Sequence, residues 1–462
     1  MHAAGCPVAD DLSLVARALL GEELPVAIRF WDGSHLGAAS AAATLDVRSP
    51  LALRRILWSA GELGVVRAYV AGELDVEGDL YAVLSLRERL PRRRGLPDLR
   101  LAAAALVAAS RAAIRHGVLG PPPPPPPEEA RLGGTRHSRA RDAAAIAHHY
   151  DVSNDFYGLV LGDTMTYSCA AFLEPDLSLE EAQRAKLELV CRKLGLQPGM
   201  RLLDVGCGWG SMLLHAATHH GVHGVGITLS RSQAAFARAQ VERAGLAGRI
   251  DIRVQDYRDL ADGPFDAISS VGMFEHVGLD LLRAYFTRLR GLLRDEGRLL
   301  NHAIGRPAPG DRPAFGRRSF VERYVFPDGA LHEVGRVVSA MQACGLEVRD
   351  VECLREHYAR TLRTWVGNLE RHWDDAVRHV GAARARIWRL YMAGSALGFE
   401  SNQITVDQVL GVATGPAGAS GMPSSRSDLL GLPPMAVPGR ASVTTAGPTG
   451  AVPLAGVTRR SR

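Results

Sequence analysis

The chain has 462 residues, 47% of them apolar and 22% charged, with a formal net charge of +5 and six cysteines. That length exceeds what one hydrophobic core readily serves, so two domains plus linkers are expected. The balanced composition excludes a disordered chain, and the longest apolar stretch, Leu101 to Ala109, is far short of the roughly 20 residues a membrane-spanning helix needs.

No secretory signal stands at the N-terminus, where Asp10 and Asp11 interrupt any apolar run. Cys6, Cys169, Cys191, Cys207, Cys344 and Cys353 form no CxxC pair and no zinc-like spacing with histidine. The sequence therefore reads as cytoplasmic, with reduced thiols and no metal site. Lysine occurs only at 186 and 193, leaving arginine at the other 52 of the 54 basic positions. GC-rich coding accounts for that bias. Arg92-Arg93-Arg94 and Arg317-Arg318 are candidates for holding anionic lipid headgroups, against the plainer reading of solvated faces.

The N-terminal part mixes a short alternating segment, Pro25 to Trp31, with helical patterns at Leu51 to Leu57 and Ala102 to Arg115. It carries no cluster of chemical groups and reads as an accessory domain over residues 1–120. The seven prolines from Pro121 to Pro127 favour extended polyproline II, and they open a linker taken as 121–145. From about residue 199 short apolar strands alternate with helices. Strands are expected at Arg201 to Val205, His223 to Thr228, Ile250 to Val254, Phe265 to Met273 and Arg298 to Ile304. Ser230 and Gln233 have capping-box spacing at a helix start. Such alternation predicts an α/β, doubly wound, mainly parallel sheet, with ligands at the carboxyl ends of its strands. Residues 305 to 400 are expected to hold a Pro/Arg-rich loop and helices carrying Trp365, Trp373 and Trp388, as a cap over the sheet. The catalytic domain is placed at 146–412. The Gly, Pro, Ala and Thr of 413–462 predict a disordered tail.

Asp204, Gly206, Gly208 and Gly210 lie where a strand passes into a helix. Glycines there let backbone approach a ligand, and a dinucleotide loop would use the same device. Asp204 would repel a phosphate but suits a cationic methionine group. A dinucleotide fold also wants an acid after the second strand, where this chain has Thr228-Leu229-Ser230. Gln255-Asp256-Tyr257 could hold an adenine. These details favour S-adenosylmethionine (SAM).

The segments His149 to Phe156, Met165 to Ala170, Leu203 to Gly210, Gly226 to Ser230, Gln255 to Asp259, Ser270 to Gly278 and His302 to Gly305, in this order, resemble the cyclopropane-fatty-acyl-phospholipid synthase family, which includes the mycolic acid cyclopropane synthases. The likeness runs from about His148 to Val412. It implies a Rossmann-like class I SAM-dependent methyltransferase fold with a helical cap insert and a smaller N-terminal domain. It also implies that Tyr167, Ser168, Asp204, Gly206, Gly208, Gly210, Thr228, Gln233, Asp256 and Tyr257 hold SAM. A bicarbonate ion would be held by Cys169, Glu275, His302, Tyr358 and the backbone of Ile304. The segment before the prolines resembles the extension of the phospholipid-acting members, so the implied partner is a membrane phospholipid with an unsaturated acyl chain, met at the inner face of the membrane. A second copy of the chain and a reductase are further partners considered; nucleic acid is not.

The chemistry requires such groups. An alkene is a weak nucleophile, so the donor must be a strong electrophile held in line with it. The resulting carbocation needs aromatic faces, for which Tyr167, Phe172, Phe274 and Tyr324 are candidates, and then a base. Taken singly, Glu275 and His302 read as ordinary buried polar residues; both fall just past strand ends. Three readings follow: cyclopropane formation, the same methyl transfer giving a methylene- or methyl-branched chain, and a lipid-binding protein with an inactive methyltransferase fold.

Overall fold

The computed structural model describes residues 6–433, apart from 22, 60, 87–98, 131–132, 137, 151 and 308–318. Both arginine clusters named above and residues 434–462 lie outside the described residues.

The N-terminal region is built on four short strands, β1 (Ala27–Phe30), β2 (His35–Leu36), β3 (Ala43–Val47) and β4 (Leu74–Gly78), in the order β2-β1-β3-β4. Helices Val8–Leu20, Pro50–Trp58, Glu62–Val70 and Leu99–Arg115 accompany them. The helix at Pro50 starts where Pro fixes φ and the Ser49 hydroxyl accepts from the Leu51 N–H. The proline run is strapped down by Arg55, whose Nη1 donates to the Pro124 carbonyl at 2.6 Å. A helix, Arg139–Tyr150, already begins inside the stretch read as linker. Helix Glu62–Val70 and β4 lie against the cap: Arg389 donates to the Tyr69 hydroxyl, and Arg386 pairs with Asp75. One continuous core joins Tyr69 and Val70 to Tyr391 and Met392.

The larger sheet has seven strands: β5 (Arg201–Val205), β6 (His223–Thr228), β7 (Ile250–Val254), β8 (Phe265–Val271), β9 (Leu293–Gly305), β10 (Glu347–Cys353) and β11 (Thr405–Val412). Their order is β10-β11-β9-β8-β5-β6-β7. β5 to β9 run parallel, while β11 is antiparallel to β9 and β10 to β11. β5 is covered on both faces, which is why Leu202, Leu203 and Val205, on alternate sides, are all buried.

Two expectations need correction. Residues 305 to 400 are not only loop and helix, because β10 lies among them. Its sequence Glu-Val-Arg-Asp-Val-Glu-Cys is mostly exposed at the sheet edge, so it lacks the apolar signature of an inner strand. The stretch after 413 is also not uniformly unstructured. Residues to Gly421 belong to the main unit, where the Ala413 N–H donates to Gly297 O at 2.9 Å. A second unit, from Met422, contains helix Arg426–Leu430, capped by the Ser425 hydroxyl and by Gly431 in the left-handed region. Among the described residues no helix is long and apolar enough to cross a membrane.

Candidate functional site

Going outward from the sheet centre, β5, β6 and β7 run one way and β8 and β9 the other, so the order switches between β5 and β8. Parallel sheets take ligands at such a point, past the carboxyl ends of the strands. A cavity of about 1200 Å³, counted to its open mouth, lies there. Tyr167, Ser168, Asp204, Gly206, Gly208, Thr228, Gln233, Asp256 and Tyr257 line it. Gly210 does not; it caps helix Ser211–His220.

The glycine turn is shaped by two different demands. Gly206 has φ +79°, and a Cβ there would stand 2.9 Å from the Met273 Cβ, so packing forbids any side chain. Gly208 has φ +53° and nothing within 4 Å of an added Cβ, so its bare backbone faces open space.

Burial sets the charges around this turn. Asp204 accepts from the Ser269 hydroxyl at 2.7 Å, and desolvation raises its carboxyl to about 6. Lys186, on helix Leu179–Leu194, donates to the Ser168 hydroxyl at 3.0 Å, and burial lowers its ammonium to about 8. The two charges lie close enough to interact. Sequence reasoning missed Lys186, although a lysine kept in a chain otherwise served by arginine was a usable signal. The other lysine, Lys193, is fully buried against Asp350 and Glu352. Only half of the expected capping box forms. The Ser230 hydroxyl accepts from the Gln233 N–H, but the Gln233 side chain accepts from the Thr228 hydroxyl at 2.8 Å. Asp256 is gripped by the N–H, Nε and Nη2 of Arg258, which hold its carboxyl below the usual range. It is thus an ion-paired wall rather than an open acceptor.

Glu275, His302, Ile304, Cys169 and Tyr358 do not line this cavity. Glu275 sits in the turn Phe274–His276 after β8, fully buried, and desolvation pushes its carboxyl up to about 7. Its Oε1 accepts from the Ile304 N–H at 2.7 Å. The Ile304 backbone donor, expected to face an ion, is engaged here by Glu275. Glu275 Oε2 has no hydrogen-bond partner among the described residues, nor has His302 Nε2. The Gln408 amide nitrogen lies 3.2 Å from His302 Nδ1. That nitrogen can only donate, so the ring proton belongs on the unpartnered Nε2. Burial holds His302 neutral, at about 3. Tyr358 is buried within electrostatic reach of Cys169 and Glu275, its phenol kept un-ionised. Cys169 is a buried thiol whose Sγ contacts the carbonyls of Ala170 and Leu354.

Of the four aromatics proposed to face a cation, only Tyr167 lies at the cavity. Phe172 sits under the Arg360 guanidinium, Phe274 packs on Phe286, and Tyr324 donates to Glu129. Trp365 and Trp388, expected on the cap helices, and His149 pack around Tyr167 without lining the cavity. His149, Trp365 and Trp388 lie 5.6, 5.4 and 5.8 Å from the Tyr167 ring, with Tyr391 against Trp388. A second, smaller cavity of about 290 Å³ is lined by His149, Trp388, Ile387 and Val325 among others.

A family profile described as mycolic acid cyclopropane synthetase matches residues 137–409. The chain is 44% identical over 404 residues to a "Probable fatty acid methyltransferase" of Mycobacterium tuberculosis, covering 86% of this chain and 93% of that one. A "Probable fatty acid methyltransferase" of Pseudomonas putida is 38% identical over 434 residues, covering 90% and 99%. Among solved structures, mycolic acid cyclopropane synthase CmaA1 complexed with SAH and CTAB is similar at 34% identity and a TM-score of 0.55, over 58% of this chain and 98% of that one.

Proposed function

The chain belongs to the mycolic acid cyclopropane synthetase family, and from that premise we propose that it transfers a methyl carbon from SAM to the cis double bond of a phospholipid-bound unsaturated acyl chain, giving a cyclopropane. It is a SAM-dependent methyltransferase acting on lipids. The cavity residues fit SAM: Gly208 leaves room for close approach, Asp204 offers a buried carboxylate, and Thr228, Gln233 and Tyr257 offer polar and aromatic contacts. SAM supplies the electrophilic methyl group. The cavity-lining rings of Tyr150, Tyr167 and Trp209 supply faces that would stabilise positive charge on the alkylated chain by cation–π attraction.

The observation that carries the ring-forming reading is the buried, unpartnered pair of Glu275 Oε2 and His302 Nε2. One is an acceptor and the other a donor, in a place where an unsatisfied polar group costs about 1–3 kcal/mol. A bicarbonate ion, with an anionic oxygen for His302 and a hydroxyl for Glu275, fits both; bound there it would supply the base that removes a proton before the ring closes. Glu275 and His302 would orient it, and Tyr358 lies within electrostatic reach of Glu275 and Cys169.

The substrate's double bond lies inside a bilayer, so the chain must meet a membrane surface. Large apolar side chains stand exposed on the N-terminal helices, with Leu57 and Trp58 each 56% accessible, Leu106 68% and Ile114 70%. Trp58 is held beside Leu119, itself exposed, by donating to the Gly120 carbonyl. These residues suit a peripheral, interfacial contact.

A second reading shares the methyl transfer, but a hydride shifts to the cationic carbon so that the charge moves to the methylated one, and the added methyl then loses its proton, leaving a methylene branch for a partner reductase. The similarity to two probable fatty acid methyltransferases is compatible with either product. Incubation with SAM and vesicles of cis-monounsaturated phospholipid tests both. Lipid mass spectrometry should register one added carbon, and proton NMR should give ring signals rather than an exocyclic methylene. No product from any cis-unsaturated lipid would defeat the enzyme reading.

A further inference from the structure

Behind the SAM cavity, two helices face each other with an unusual set of side chains. Helix Leu179–Leu194 presents Glu188 and Cys191, three apart and so on one face. Helix Ser211–His220 presents His215 and His220. A donor atom from each of Cys191, His215 and His220 lies within 4.8 Å of the other two. Glu188 Oε2 stands 3.3 Å from His215 Nε2 and 2.9 Å from His220 Nε2, while its Oε1 accepts from Arg192 at 2.8 Å. Cys191 is buried, and the histidine side chains are only 11% and 19% exposed.

We propose that Cys191, His215, His220 and Glu188 form a structural zinc site that clamps these two helices together behind the cofactor cavity. One thiolate, two imidazoles and a carboxylate are a donor set for tetrahedral zinc, whereas magnesium and calcium would require oxygen ligands. Cys191, His215 and His220 supply three ligands, and Glu188, which hydrogen-bonds both imidazoles here, turns to supply the fourth and close the coordination sphere, which makes the site structural rather than catalytic. Arg192 on the far carboxylate oxygen is the kind of outer partner that orients a metal-bound carboxylate. No short motif announces the site, because its ligands come from helices separated by β5 and the glycine turn.

The clamp bears on both sides of the site already described. Helix Leu179–Leu194 carries Lys186 and Gln183, which hold the Ser168 hydroxyl and carbonyl. Helix Ser211–His220 starts at the glycine turn, so fixing its far end fixes the direction in which that turn opens.

The test uses the full chain, stripped with a chelator and titrated with zinc against a chromophoric chelator, then with cobalt. One zinc per chain at submicromolar affinity is expected, with a thiolate-to-cobalt charge-transfer band and the intense visible absorption of four-coordinate cobalt. The Cys191→Ser variant should lose the charge-transfer band. Because Cys191 is buried, His220→Ala, at a more accessible ligand, gives an independent arm. It should weaken zinc binding by at least about tenfold and erase the zinc-dependent rise in Tm, with the circular dichroism spectrum unchanged. A folded parent that gives no cobalt–thiolate band, or zinc affinity unaltered by His220→Ala, would overturn the proposal.

Discussion

Replacing Glu275 with glutamine separates the role of its charge from that of its shape. The rise of its carboxyl from 4.5 to about 7 means that burial disfavours the ionised form by about 3 kcal/mol, at about 1.4 kcal/mol per tenfold in the equilibrium. Between those values the folded chain binds more protons than the unfolded one. The stability attributable to Glu275 is therefore fully present below pH 4.5, is lost as pH rises through 7, and is constant above. Glu275→Gln keeps an oxygen to accept from the Ile304 N–H but carries no charge. It should match the parent near pH 4.5 and exceed its stability by up to about 3 kcal/mol at pH 8. Turnover should nonetheless fall by roughly 10²–10⁴, the usual contribution of a positioned acid–base system. SAM affinity should change little, because Glu275 does not line the cavity that the glycine turn opens on. Thermal melts at both pH values, isothermal titration with SAM and the lipid assay give the three readouts. Loss of SAM binding together with activity would refute the assignment of Glu275 to a separate base-holding pocket. So would a Tm difference that stays constant with pH.

Lys186→Met should remove a pH response of its own. The parent ammonium is depressed from 10.5 to about 8, so stability attributable to Lys186 rises between those pH values, and the variant's melts should show no such rise. Gly206→Ala and Gly208→Ala should differ in kind. The first forces a Cβ onto Met273 and should lower Tm. The second should cost only about 1–2 kcal/mol of fold stability for its left-handed backbone yet weaken SAM at least about tenfold in titration. The paired substitution Leu57→Glu and Trp58→Glu should cut vesicle co-sedimentation and turnover on bilayers while leaving SAM affinity intact; unchanged vesicle binding would remove this surface from the proposal.

How far the sequence could be read depended on whether a residue's role is local. Strands β5, β6 and β7 were legible to the residue, because each is a short segment with apolar residues on its buried positions, ended by turns. The glycine turn was legible because positive φ and close packing leave few residue choices. β10 was not, since an edge strand alternating acid and base resembles a solvated helix face. The packing of the cap tryptophans on Tyr167 was not legible for a different reason. Tyr167 precedes β5, while Trp365 and Trp388 come from cap helices some two hundred residues later, and only the folded chain stacks them. Phe172 and Phe274 were nearer in sequence to the expected site, and the fold turned both elsewhere.

The two lysines make the same point about chemistry. Arginine stays charged wherever it is placed, whereas lysine can shed its proton when buried. In this chain the exposed basic surface is left to arginine, and both lysines are deeply buried, Lys186 against Ser168 and near Asp204 and Lys193 against Asp350 and Glu352. A guanidinium at 186 would set a permanent, larger cation beside a site proposed to receive a sulfonium. An ammonium lowered to about 8 can be neutralised there at modest cost, and its compact head reaches the Ser168 hydroxyl on the cavity wall. If this account holds, Lys186→Arg should impair SAM binding more than Lys186→Met does, although it keeps the charge. The opposite order, measured by titration at pH 7, would show that position 186 needs a cation and not a lysine.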